Sequence, residues 1–154
     1  MSVILYISEG AIMSVSEKRA WIMVIVTTVA YTSYLAIVLG RAGSGALADV
    51  PYAWTLVGTV VGAILASILL DVISTFFSPR SAAAKDQRDR EINRLGDYIG
   101  QSFLIVGAVT ALCLAMIDVP SFWIANAIYL GFVLSAILGS IAKIIAYRRG
   151  FQTW

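Results

Sequence analysis

Asp71 and Lys143 are the only charged residues inside two long apolar runs of this chain, Trp54–Phe77 and Phe122–Tyr147. Charges placed in an apolar run mark either an ion or proton pathway or an ion pair, because an unpaired charge in hydrocarbon is costly. Asp71 lies 17 residues past Trp54, and Lys143 lies 20 residues past Trp123. At about 1.5 Å per residue these offsets correspond to roughly 25 and 30 Å along a helix. Matching depths predict that Asp71 and Lys143 meet as an intramembrane ion pair or share an ion pathway. The plainer alternative is a lysine stem snorkelling to the headgroups.

A second polar constellation lies on the run 20–40, where Thr27, Tyr31 and Tyr34 share one helical face beside Thr28, Thr32 and Ser33. Asn126 adds an amide to the last run. Such groups line a polar cavity or hydrogen-bond between helices. The chain has no histidine and one cysteine, Cys113. That composition removes histidine proton shuttles, histidine-ligated haem, disulfides within the chain and most zinc geometries. No phosphate loop, nucleophile elbow or acid dyad occurs, so neither an enzyme nor a bound metal or cofactor is expected. Asp49 and Asp118 each precede a proline and read as helix N-caps, with a duplicated outer cation site as the alternative.

The elements that carry these groups are membrane spans. The chain is 60% hydrophobic and 13% charged, against about 25% charged in soluble domains. Four runs reach the roughly 20 helical residues that a bilayer core requires: 20–40, 54–77, 99–117 and 122–147. Asp49-Val50-Pro51-Tyr52-Ala53-Trp54 returns 69 residues later as Asp118-Val119-Pro120-Ser121-Phe122-Trp123, and the same offset carries Gly62 onto Gly131. The expected fold is therefore all-α integral membrane: two tandem helical hairpins in parallel repeat, related by an axis along the membrane normal. Small-residue series (Gly58-Gly62-Ala66, Gly107-Ala111-Ala115, Ser135-Gly139) predict close helix contacts within it.

Ten of the eleven basic residues fall before the first span, between the second and third, or at the end of the fourth, and only Arg41 lies in the opposite set of loops. The positive-inside rule makes both termini and the 78–98 segment cytoplasmic, in a multi-pass inner-membrane protein. Residues 1–13 lack a basic n-region and read as a leader, from an upstream start codon or loosely ordered. Ser14 and Glu17, just after it, have capping-box spacing. From Ala82 the chain reads as a helical extension leading into the third span, with Arg88, Arg90 and Arg94 as docking contacts for a partner. Over residues 85–97 four basic residues face four acidic ones. That balance is a poor match for direct nucleic-acid binding.

Lys85-Asp86-Gln87-Arg88-Asp89-Arg90-Glu91-Ile92, Gly96-Asp97-Tyr98-Ile99-Gly100, Phe122-Trp123-Ile124-Ala125-Asn126 and Lys143–Phe151 together resemble small prokaryotic four-span membrane proteins of unknown function. Such proteins are often encoded beside a helix-turn-helix regulator. The resemblance covers about residues 80–151 and implies an integral membrane protein, not a reaction. The expected role is a non-enzymatic membrane partner or sensor for a cytoplasmic regulator. A small transporter or channel using Asp71 and the polar face of the first span is one alternative. An accessory subunit of a larger membrane complex is another. Membrane lipid and a homo-oligomeric copy complete the expected partners.

Overall fold

A computed structural model describes residues 15–76 and 87–149; the leader over 1–13 and the residues from Ala82 to Asp86 lie outside them. Four α-helices are present: α1 (Val15–Ala42), α2 (Ala53–Phe76), α3 (Gln87–Met116) and α4 (Ser121–Arg149), with one 3-10 turn at Leu47–Asp49. All four are long and apolar enough to cross a membrane. The described part of the extension and the third span form one continuous helix, α3, with Gly96 and Gly100 inside it.

The helices gather their ends consistently. Glu17, Arg19, Asp71, Asp97, Lys143 and Arg148 meet at one end, here called the basic end. At the opposite end Arg41 donates to Pro51 O at 3.3 Å and to Thr55 Oγ1 at 2.9 Å, clipping the end of α1 to the start of α2. Neither repeated aspartate opens its helix, contrary to the capping expectation. Asp49 sits in the 3-10 turn, four residues before Ala53, and Asp118 adopts a left-handed φ of 53° three residues before Ser121. The same hexapeptide pattern thus makes two different turns, because the first connection holds ten residues between helices (43–52) and the second only four (117–120).

Packing is uneven. The closest pair is α3 with α4, and glycine makes it so. A Cβ built on Gly107 would come within 2.7 Å of Gly131 Cα, and one on Gly100 within 2.9 Å of Ser135 O. At the basic end a Cβ on Gly139 would stand 2.8 Å from Gly96 O, and one on Gly96 would collide with the Lys143 stem. These two backbones touch along almost their whole length, as small residues allow where lipid provides no hydrophobic drive. α1 packs on α2 and on α4, so neighbours run α2, α1, α4, α3.

This order bears on the expected internal two-fold. Exchanging the hairpins would turn the α1–α4 interface into an equivalent one between α3 and α2, and these two share no comparable contact. The glycines differ in the same way. Gly131 meets Gly107, but its counterpart Gly62, like Gly58, has nothing within 4 Å of where a Cβ would lie. Among the described residues, Gly58 and Gly62 therefore serve no close helix contact.

The contrast predicts opposite outcomes for matched substitutions. Gly107→Val should destabilise the detergent-solubilised protein by about 1–3 kcal/mol through overpacking, whereas Gly62→Val should stay within about 0.5 kcal/mol. Thermal melts of the two variants check this; equal losses would contradict the described packing.

Candidate functional site

The expected pair between Asp71 and Lys143 is not what forms. Asp71 Oδ1 accepts from Arg19 Nε at 3.1 Å, joining α2 to α1, and Lys143 Nζ donates to Asp97 Oδ1 at 2.8 Å, joining α4 to α3. The geometry explains the exchange. α2 leans on α1, leaving a gap toward α4, while Gly96 lets the lysine stem lie across α3 and end beside the adjacent carboxylate. Matching offsets along two helices did not name the neighbour across the gap.

Two further polar contacts complete the basic end. Arg148 Nε approaches Glu17 Oε1 at 3.4 Å, and its guanidinium carbon lies 5.6 Å from the centre of the Trp21 ring, within cation–π range. Tyr147 OH donates to Asp89 Oδ1 at 2.8 Å. Asp89 and Asp97 stand two helical turns apart on α3 and their partners Tyr147 and Lys143 one turn apart on α4, so this pair of helices is stitched twice beyond its glycine contact. Sequence reasoning missed Arg19, Asp97, Tyr147 and Glu17 as partners. The eight-residue spacing of Asp89 and Asp97 beside the four-residue spacing of Lys143 and Tyr147 was the available signal.

Toward the other end lies the tyrosine cluster. Tyr34 is fully buried, and its hydroxyl donates to Asn126 Oδ1 at 2.8 Å; Asn126 Nδ2 donates in turn to Phe122 O at 2.8 Å. Tyr129, not anticipated from sequence, stands edge-on to Tyr31 and Tyr34 with ring centres 5.5 and 5.1 Å away, and its hydroxyl meets Thr59 Oγ1 at 3.3 Å. The polar face named from sequence is thus partly brought together: Tyr31, Tyr34 and Asn126 join one cluster, while Thr27 lines a separate groove. Thr28 and Thr32 face outward, with Thr32 bonding back to the Thr28 carbonyl.

The groove that Thr27 lines has a volume of about 700 Å³ and is bounded by α1, α2 and α4. Its walls are almost wholly apolar, its basic end carries Arg19 and Asp71, and Tyr129 stands at its other end. Of the arginines expected from sequence to contact a partner, Arg90 and Arg94 are exposed on the first turns of α3, and the side chain of Arg88 lies outside the described residues. Among the described residues no group of three or more acids or cysteines is arranged to hold a metal ion. Comparison with protein families, curated proteins and solved structures finds no match to this chain.

Double-mutant cycles should separate true from expected neighbours. Arg19 with Asp71, and Lys143 with Asp97, should each show coupling of about 0.2–1 kcal/mol, since both pairs are partly exposed. Asp71 with Lys143 should be additive within about 0.3–0.5 kcal/mol. A coupling for that last pair as large as the other two would overturn the described pairing. Tyr34→Phe leaves the Asn126 carbonyl without its buried donor and should cost roughly 0.6–2 kcal/mol, where Thr28→Val should cost little; detergent melts distinguish them.

Proposed function

We propose that the protein is a non-enzymatic, multi-pass inner-membrane protein that serves as partner or sensor for a cytoplasmic factor. Both termini and the basic end face the cytoplasm in this reading, which rests on the ten-to-one distribution of lysine and arginine. The observation that carries it is how charge is used at the start of α3. Asp89 is held by Tyr147 and Asp97 by Lys143, while Arg90, Glu91 and Arg94 project outward.

With the charge of Asp97 paired by Lys143, the outward row of Arg90, Glu91 and Arg94 carries two cations to one anion. Arginine forks suit carboxylates, so the fitting partner carries an acidic stretch. The surface is also rigid, since the helix bearing it continues into the glycine-packed span. From Gln87 to Ile99 is 12 residues, a projection of roughly 18 Å at about 1.5 Å per residue. The tyrosine cluster lends a permeation route little support, because its polar atoms satisfy one another across the bundle. The open Gly58–Gly62 face of α2 favours a second reading, a subunit of a homo-oligomer or larger membrane complex.

Replacing Arg88, Arg90 and Arg94 by glutamate should leave membrane insertion unchanged and abolish co-purification of a soluble partner in mild detergent. Retention of the partner by the triple variant would place the docking surface elsewhere. Recovery of only a heavier membrane assembly, with no soluble protein, would favour the second reading.

A further inference from the structure

The apolar groove and the cationic cavity at its mouth form one continuous feature. The groove, about 700 Å³, has a floor from α1 and walls from α2 and α4, with Ile22, Ala30, Ile64, Ile68, Phe132 and Ala136 among the apolar lining. From Val60 to Asp71, which bound it along α2, is 11 residues, or roughly 16 Å. Half of a bilayer core of about 30 Å is about 15 Å. The groove therefore has the length of one leaflet, and Tyr129 stands across its deep end, tied to Thr59.

At the mouth a second cavity of about 360 Å³ shares Arg19 and Met23 with the groove. Its remaining walls are Ser16, Ala20, Asn93, Ser140 and Lys143, contributed by α1, α3 and α4. Two cations, two hydroxyls and an amide converge there, and no carboxylate is among the lining residues. Arg19 and Lys143 are each bonded to an aspartate through one nitrogen. A guanidinium carries five N–H donors and an ammonium three, so neither cation is exhausted by its ion pair.

We propose that this feature is a lipid site: the groove seats one acyl chain of an anionic glycerophospholipid, and Arg19 and Lys143 hold its phosphate. Arginine offers the phosphate paired donors and lysine a point charge. The site prefers an anionic headgroup because a choline group would bring a third positive charge into a cavity already lined by two cations. With the basic end cytoplasmic, the site opens in the leaflet that carries anionic lipid. The lipid would also fill the gap between α2 and α4 along the groove.

The test is native mass spectrometry of the full chain, purified in mild detergent and offered dioleoyl phosphatidylglycerol or dioleoyl phosphatidylcholine. The wild-type protein should retain phosphatidylglycerol about tenfold better or more, as expected for a charge-assisted contact. Arg19→Gln combined with Lys143→Gln should reduce phosphatidylglycerol to the phosphatidylcholine level, and Arg19→Lys combined with Lys143→Arg should keep the preference. Ala63→Trp and Ser67→Phe, which fill the groove, should each abolish retention of both lipids in protein that keeps its helical circular dichroism. Equal retention of the two lipids by the wild type would overturn the proposal. So would a preference that survives the double glutamine variant, or a helical groove-filled variant that binds as the wild type does.

Discussion

The contact between α3 and α4 is the constraint from which the rest of the arrangement follows. Its glycines let two backbones approach to a separation that any side chain would forbid, and that approach fixes the rotation of each helix about its own axis. Once Gly96, Gly100 and Gly107 face Ser135, Gly139 and Gly131, Lys143 has no path except over Gly96, and Tyr147 falls opposite Asp89. The polar pairs at the basic end are consequences of this registry more than causes of it. Exposed ion pairs contribute little by themselves, whereas dispersion along some twenty residues of close contact is cumulative.

α1 plays the complementary role. Its Tyr34 occupies the centre of the only sizeable buried cluster among the described residues, with Val38 beside it and Phe122, Tyr129 and Val133 presented by α4. A polar bond between Tyr34 and Asn126 gives that apolar cluster direction, because a buried hydroxyl and amide must find each other. α2 adds Thr59, with Tyr52 just before its first residue, at one end and then diverges from α4. The divergence leaves the cavity in which Thr27, Ser67 and the Arg19–Asp71 pair are found.

The number of helices and the presence of small-residue packing faces on α3 and α4 were legible in the sequence, since apolar length and four-residue spacing of small residues are local signals. Which helix neighbours which was not. The 69-residue repeat invited a symmetric pairing of hairpins, yet Gly62 and Gly131 sit in different surroundings, because repetition of residue type does not require repetition of contact. Asp71 and Lys143 were assigned to each other from matching offsets along their helices, when their partners lay on α1 and α3. A periodicity gives height along a helix and the face on which a residue lies; it does not name the helix across the gap. Tyr129 escaped notice for a related reason, as a lone aromatic in an apolar run becomes informative only when the two tyrosines of α1 are seen to meet it.

The placement of α4 between α1 and α3 has a consequence for biogenesis. Tyr34 must wait for Asn126, 92 residues later, and Glu17 for Arg148, 131 residues later. α1 and α2 therefore leave the insertion machinery with only each other and lipid for company, Tyr31 and Tyr34 of α1 facing acyl chains. Assembly of this bundle follows synthesis of its last described helix, unlike soluble multidomain chains, whose N-terminal units fold while the remainder is being made. In the interval, the hydroxyl groups of α1 are the atoms most exposed to wrong partners, and any factor that shields newly inserted helices would act on that face.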